Sequence, residues 1–92
     1  PVAPLMPFDD DQQAVEIANS SRFGLGASVW ATDAARAREL VSRLEVGMVF
    51  VNGMVKSDPR LPFGGVKDSG FGRELAREGI MEFVNAKTVW IR

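Results

Sequence analysis

The sequence predicts an α/β fold, a parallel βαβαβ sheet with flanking helices, closed by a C-terminal strand. Three observations predict it. Short apolar runs at 2–8, 27–31 and 48–51 alternate with stretches whose apolar residues recur at helical spacing. The segments between the runs are long enough for helical crossovers, which parallel strands require and which are right-handed. A glycine-rich loop, Leu61 to Glu74, follows the third run, at the carboxyl end of the predicted sheet, where open α/β sheets place ligands.

Val2, Leu5, Met6 and Phe8 form the first run, a short buried strand that Pro4 and Pro7 push toward an edge or irregular form by removing ladder donors. Asp9 and Asp10 then supply an N-cap and negative charge to a first helix. Ala14, Ile17, Ala18 and Ser21 fall at helical spacing through Arg22, and Gly24 ends the helix. Ala27 to Ala31 is a strand carrying Val29 and Trp30, and Thr32 and Asp33 cap the second helix. In that helix Ala37, Leu40, Val41 and Leu44 form one stripe, with Arg36, Arg38, Glu39 and Arg43 mostly outside it. Gly47 fits the C′ position of a left-handed cap. Met48 to Val51, an unbroken apolar run, reads as a strand covered on both faces.

Beyond the loop, Arg73 to Val84 makes a third helix with Ala76, Ile80, Phe83 and Val84 on one side. Gly79 weakens it by about 1 kcal/mol relative to Ala. Residues 86–92 alternate, Val89 and Ile91 facing one way and Thr88, Trp90 and Arg92 the other. Such a strand is free to leave its parent sheet and add to the sheet of a second subunit. Trp30 and Trp90 read as packing residues.

Ninety-two residues bound the chain to one domain or a piece of one. A chain this short buries only about 60 to 65% of its unfolded surface. With 46% hydrophobic and 25% charged residues it is too apolar for disorder. A net charge of −1 with no Lys or Arg run excludes nucleic acid and lipid surfaces as primary partners. No apolar run approaches the roughly 18 residues that span a bilayer, and no charged-then-apolar leader is seen, so the expected location is cytoplasmic. The absence of Cys removes disulfides and a thiolate nucleophile; the absence of His removes the usual general base and the commonest metal ligand. The start at Pro1, without an initiating Met and directly into an apolar segment, reads as a piece of a longer protein.

The candidate site is the loop. Gly64, Gly65, Gly70 and Gly72 fall within nine positions, and glycine is favoured only where positive φ or close approach demands it. Something is therefore expected to pass close to that backbone. Gly65 to Gly70 has the gap of a P-loop, but Phe71 and Gly72 stand where Lys and Ser or Thr belong; Gly24 and Gly26 precede a strand rather than follow one. Neither is a phosphate fingerprint. Ser57-Asp58-Pro59-Arg60 reads as a type I turn or, alternatively, as a hydroxyl and a guanidinium near an anionic ligand. Phe63 reads either as a pocket wall or as a loop anchor in the core.

Leu61-Pro-Phe-Gly-Gly-Val-Lys-Asp-Ser-Gly-Phe-Gly-Arg-Glu74 resembles the Pro-Phe-Gly-Gly-x-Lys-x-Ser-Gly-x-Gly-Arg-Glu segment of the aldehyde dehydrogenase superfamily. Asn19-Ser-Ser-Arg-Phe-Gly-Leu-Gly-Ala-Ser-Val-Trp30 is similar to that family's Ala-Asn-x-x-x-Phe-Gly-Leu stretch, and Gly47 to Asn52 keeps the family's spacing. Within the family, Ser57 to Phe63 is most similar to the succinate-semialdehyde dehydrogenases. The resemblance implies an enzyme that oxidises an aldehyde to an acid with NAD or NADP. The route is a cysteine thiolate, a thiohemiacetal, hydride transfer, and hydrolysis with a glutamate as base.

By the resemblance, the nucleophilic Cys, the Glu base, the oxyanion-stabilising Asn and the cofactor domain lie upstream, so this chain holds no catalytic residue. Residues 1–85 would be the C-terminal part of the catalytic domain and 86–92 the oligomerisation strand, making a homo-oligomer through Thr88 to Arg92. Phe63 matches the aromatic near the nicotinamide and thiol, and so touches both cofactor and substrate. Leu25 matches a residue touching the cofactor. Ser57 matches a hydroxyl that helps hold the distal carboxylate of the substrate. A self-associating interaction module without catalysis is the alternative reading of the same chain end.

Overall fold

The computed structural model describes residues 2–92. Helix α1, Asp11–Asn19, begins where the carboxylate of Asp10 accepts a 2.8 Å hydrogen bond from Gln13 N–H. The Gln13 side chain answers by accepting from Asp9 N–H, just before the cap, in an exchange like a capping box. The helix stops before Arg22 because serines compete for the backbone: Ser20 Oγ donates to Ile17 O, and Ser21 Oγ accepts from Phe23 N–H. Phe23–Gly24 then forms strand β1 rather than a helix end.

Strand β2, Gly26–Val29, is followed by helix α2, Ala34–Arg43, capped by the Asp33 carboxylate on Ala35 N–H. Strand β3, Met48–Val51, returns parallel to β2, with Gly26 opposite Met48 and Val29 opposite Val51. This is the predicted parallel unit with its helical crossover. Strand β4, Val66–Lys67, pairs antiparallel with β1. Helix α3, Ala76–Met81, is shorter than the predicted Arg73 to Val84, because Leu75 and Ala76 sit at φ 64° and 50° and break continuity with Arg73. Gly79 does more than weaken it: a Cβ there would lie 2.8 Å from the carbonyl carbon of Glu74, so the helix rests on that backbone.

Three expectations need correction. The sheet is two pairs of strands, not βαβαβ, because Val2 to Phe8 forms no strand. Leu5 is 96% exposed; Pro4 and Pro7 lack ladder donors, and no described strand lies beside them. Gly47 is not a left-handed cap, since α2 ends at Leu44 in extended backbone and the positive-φ glycines are Gly64, Gly70 and Gly72. Trp30 and Trp90 do not pack within the chain, being 68% and 83% exposed.

Residues 86–92 form no strand with any described residue, and Val89 and Ile91 stay exposed beside Trp90. The hydrophobic core is small: among the described residues only Val15 and Ala37 are buried apolar side chains. Between α1, α2 and β2 an apolar cleft of about 1080 Å³ remains open, with Val15, Val29, Leu40 and Leu44 in its walls. No described helix is long and apolar enough to cross a membrane.

Candidate functional site

The glycine loop is closed at its neck by paired backbone bonds between Phe63 and Glu74, at 2.7 and 2.8 Å. Inside it the Arg73 guanidinium donates to the carbonyls of Gly65 and Gly72, each at 2.7 Å, and so braces both arms. What passes close to Gly64, Gly65 and Gly72 is the chain itself, whereas Gly70, at φ 111°, meets nothing within 4 Å and is a turn glycine. A Cβ on Gly65 would lie 2.5 Å from Ser69 Cβ and 3.1 Å from Leu25 Cα; one on Gly47 would lie 1.9 Å from Gly64 O. Gly47 N–H also donates to Gly24 O at 3.0 Å. Three backbone segments therefore meet at Gly24, Gly47 and Gly64-Gly65, closer than any side chain would permit.

On the outer side of this stack a cavity of about 360 Å³ opens between β3 and residues 56–63. That volume is within the range that holds a small molecule. Phe63, half-buried, lines it together with Met48, Phe50, Lys56, Asp58 and Leu61. The cavity runs along the whole of β3, from Gly47 to Val51, rather than sitting only at its carboxyl end. The larger cleft under α1 and α2 contains none of the predicted site residues.

Of those residues, Phe63 is in the cavity and Ser57 is not. Ser57 is exposed at its rim, between two residues that line it, Lys56 and Asp58. Leu25 does not line the cavity; its Cα lies against Gly65, with its side chain 42% exposed. The structure thus joins Phe63 and Leu25 through the glycine backbone rather than in one cavity. Leu25 and Phe63 each present apolar surface.

The turn reading of Ser57 to Arg60 is the one the structure takes. Leu61 N–H donates to Asp58 O at 3.0 Å, and the Asp58 carboxylate accepts from Arg60 N–H, Nε and Nη2 at 2.9, 2.9 and 2.7 Å. Those bonds, the guanidinium's first and the backbone N–H next, hold the Asp58 carboxyl down to about 2. Arg60 is therefore committed to Asp58. The cation that does line the cavity is Lys56, which sequence reasoning missed, and which forms no ion pair among the described residues. A lone lysine in a polar loop carries no sequence signal of such a role. No group of metal-ligating side chains occurs among the described residues.

Fold and geometry together define a segment of an α/β domain in which a glycine-backed loop walls a small cavity. The profile described as the aldehyde dehydrogenase family matches residues 1–89. A Synechocystis sp. protein named "Probable succinate-semialdehyde dehydrogenase", NADP(+), is 58% identical over 99% of this chain and 20% of its own length. The corresponding NADP(+) enzyme 1 of Mycobacterium ulcerans is 53% identical over the same shares. The crystal structure of succinic semialdehyde dehydrogenase from Streptococcus pyogenes in complex with NADP+ superposes at a TM-score of 0.88, with 39% identity over 91% of this chain and 18% of that one. Betaine aldehyde dehydrogenase from Staphylococcus aureus with NAD+ gives 0.80, at 37% identity over 83% and 15%.

This chain belongs to the aldehyde dehydrogenase family. It spans about a fifth of the length of the curated relatives it matches.

Proposed function

We propose that the whole protein to which this chain belongs is an NAD- or NADP-dependent aldehyde dehydrogenase of the cytoplasm. Its substrate is succinate semialdehyde or a similar semialdehyde, oxidised to the carboxylic acid. Residues 1–85 contribute to its catalytic domain. The observation that carries this reading is the 53 to 58% identity to relatives named succinate-semialdehyde dehydrogenase, which runs through the loop that holds Phe63 at the cavity.

In this reading Phe63 is the aromatic wall between substrate and cofactor, and Leu25 touches the cofactor. The cofactor, when bound, accepts the hydride from the aldehyde carbon. Ser57 offers a hydroxyl to the distal carboxylate, a bond to a charged oxygen worth about 1.5 to 3 kcal/mol. Lys56 adds the positive charge that Arg60, tied to Asp58, does not supply. With no Cys in its sequence, this chain supplies no thiolate and on its own is inactive.

The test is turnover of succinate semialdehyde by the full-length protein with NADP+ and NAD+, beside the 92 residues alone. The full-length protein is expected to turn over and the 92 residues are not. Turnover by the short chain would overturn the division of labour, and a full-length protein without a reactive Cys would overturn the enzyme assignment.

A second reading, self-association, is favoured by one observation: Val89, Trp90 and Ile91 are 70, 83 and 88% exposed in an alternating segment. Thr88 to Arg92 adds as a strand to a second copy, giving a homo-oligomer. Gel filtration of the full-length protein with and without residues 86–92 checks it. An unchanged elution volume would end the idea.

A further inference from the structure

We infer that Lys67 is a positioning residue that fixes the Leu25 turn against the Phe63 loop, an assignment that rests on the pocket-wall reading above. Lys67 stands on β4 opposite Phe23, and the next residue, Asp68, donates its N–H to Arg22 O. The side chain, only 24% exposed, reaches the carboxyl end of α1. There its ammonium donates to Asn19 O at 2.8 Å and Ser21 O at 3.3 Å, and meets the Glu45 carboxylate at 2.8 Å. A cation suits that position, because the last carbonyls of a helix have no helical partner and carry the negative end of its dipole.

Asn19 is itself fixed on α2: its Nδ2 donates to Arg43 O and its Oδ1 accepts from Glu45 N–H. One ammonium thus gathers the ends of α1 and α2 onto β4. From there the seam runs straight to the site. Gly24 N–H donates to Ser69 Oγ at 3.0 Å, and the next residue, Leu25, has its Cα against Gly65, two positions from Phe63. Lys56 and Lys87, by contrast, make no ion pair among the described residues. Releasing the Lys67 ammonium frees the Leu25 turn to slide along the loop, and a displacement of about 1 Å near reacting groups costs up to about 100-fold in rate.

The experiment is steady-state kinetics of the full-length enzyme and its variants with succinate semialdehyde and NADP+. Lys67→Met is expected to lower kcat about tenfold or more and to raise KM for the cofactor, with KM for the aldehyde moving less. Lys67→Arg, which keeps the cation and its donors, restores most of both. Glu45→Gln stays within about twofold of wild type, because an exposed carboxylate adds little to an ion pair. Unchanged kcat and cofactor KM in Lys67→Met, with only a lower melting temperature, would overturn the assignment. So would a Glu45→Gln defect equal to that of Lys67→Met. If Lys67→Met does not fold, Lys67→Gln is read by the same split, with the same outcomes for and against. Wild-type enzyme without turnover would overturn the pocket-wall reading itself, whereas an active wild type with an indifferent Lys67 overturns the positioning role alone.

Discussion

The two sides of this chain are held together by different means. On the loop side, Gly24, Gly47, Gly64 and Gly65 bring three backbone segments into close contact, with the Val66 and Ser69 side chains packed against Gly24 and Gly65. On the helical side, α1 and α2 meet β2 through side chains, yet only Val15 and Ala37 are buried and a cleft of about 1080 Å³ stays open. Backbone contact is complete within the chain, while side-chain burial is not. The lesson is that the wall of the proposed pocket is shaped locally, whereas the helical face stays open. Hydrophobic burial is proportional to area removed from water, so an open face contributes little until something covers it.

The largest effect that tests this contrast is Gly47→Ala. The new Cβ would lie 1.9 Å from Gly64 O and 2.8 Å from Gly65 Cα, contacts that neither backbone segment can yield cheaply. Loss of about 3 kcal/mol is expected in urea denaturation of the full-length protein. Gly53→Ala is the matched control: the nearest atom is 3.9 Å away and φ is not left-handed, so the change stays within about 0.5 kcal/mol. Equal losses at both positions would show that the stack is not what orders the loop.

A smaller effect is expected on the helical side. Asp10→Ala removes the acceptor for Gln13 N–H and with it the start of α1. The cost is about 1 kcal/mol, read in the same denaturation experiment, with kcat for succinate semialdehyde unchanged. A fall in kcat as large as that of a loop variant would mean that the two sides are coupled more tightly than their contacts indicate.

How much of this was legible in the sequence follows the same division. The stripe Ala37, Leu40, Val41 and Leu44 and the run Met48 to Val51 announce α2 and β3 because a whole element repeats its signal, and Asp10 and Asp33 announce caps because short acidic side chains at helix starts have one use. The run Val2 to Phe8 announces burial but not what buries it, and among the described residues Val2 and Leu5 stay almost fully exposed. In the loop, four glycines declare a close approach or a left-handed turn without saying which: Gly65 lies against Ser69 Cβ and the backbone of Gly24 and Leu25, whereas Gly70, at φ 111°, has nothing within 4 Å. Gly47 carries the same ambiguity: a residue without a side chain serves a left-handed cap and a tight contact equally well. Phe63 was legible as a candidate wall, an aromatic next to glycines. Lys56 was not, since its place at the cavity depends on the turn that Asp58 and Arg60 close.

The smallest effect concerns that turn, and it separates geometry from energy. The Arg60 guanidinium and backbone N–H lower the Asp58 carboxyl from its ordinary 3.8 to about 2. A depressed carboxylate pKa contributes stability that is fully present above the unfolded value and lost as pH falls through the folded one, here between about 4 and 2. Because the Arg60 side chain is 85% exposed, water screens the pair and the contribution to global stability is slight. An NMR titration of the Asp58 carboxyl is therefore expected to show a midpoint near 2 in a protein whose melting temperature hardly responds to Arg60→Gln. That substitution removes the largest cause and leaves the backbone N–H in place, so the midpoint rises only part of the way toward 3.8. A midpoint already near 3.8 in the wild type would mean that Arg60 is free of Asp58, returning it to the cavity as a second cation beside Lys56.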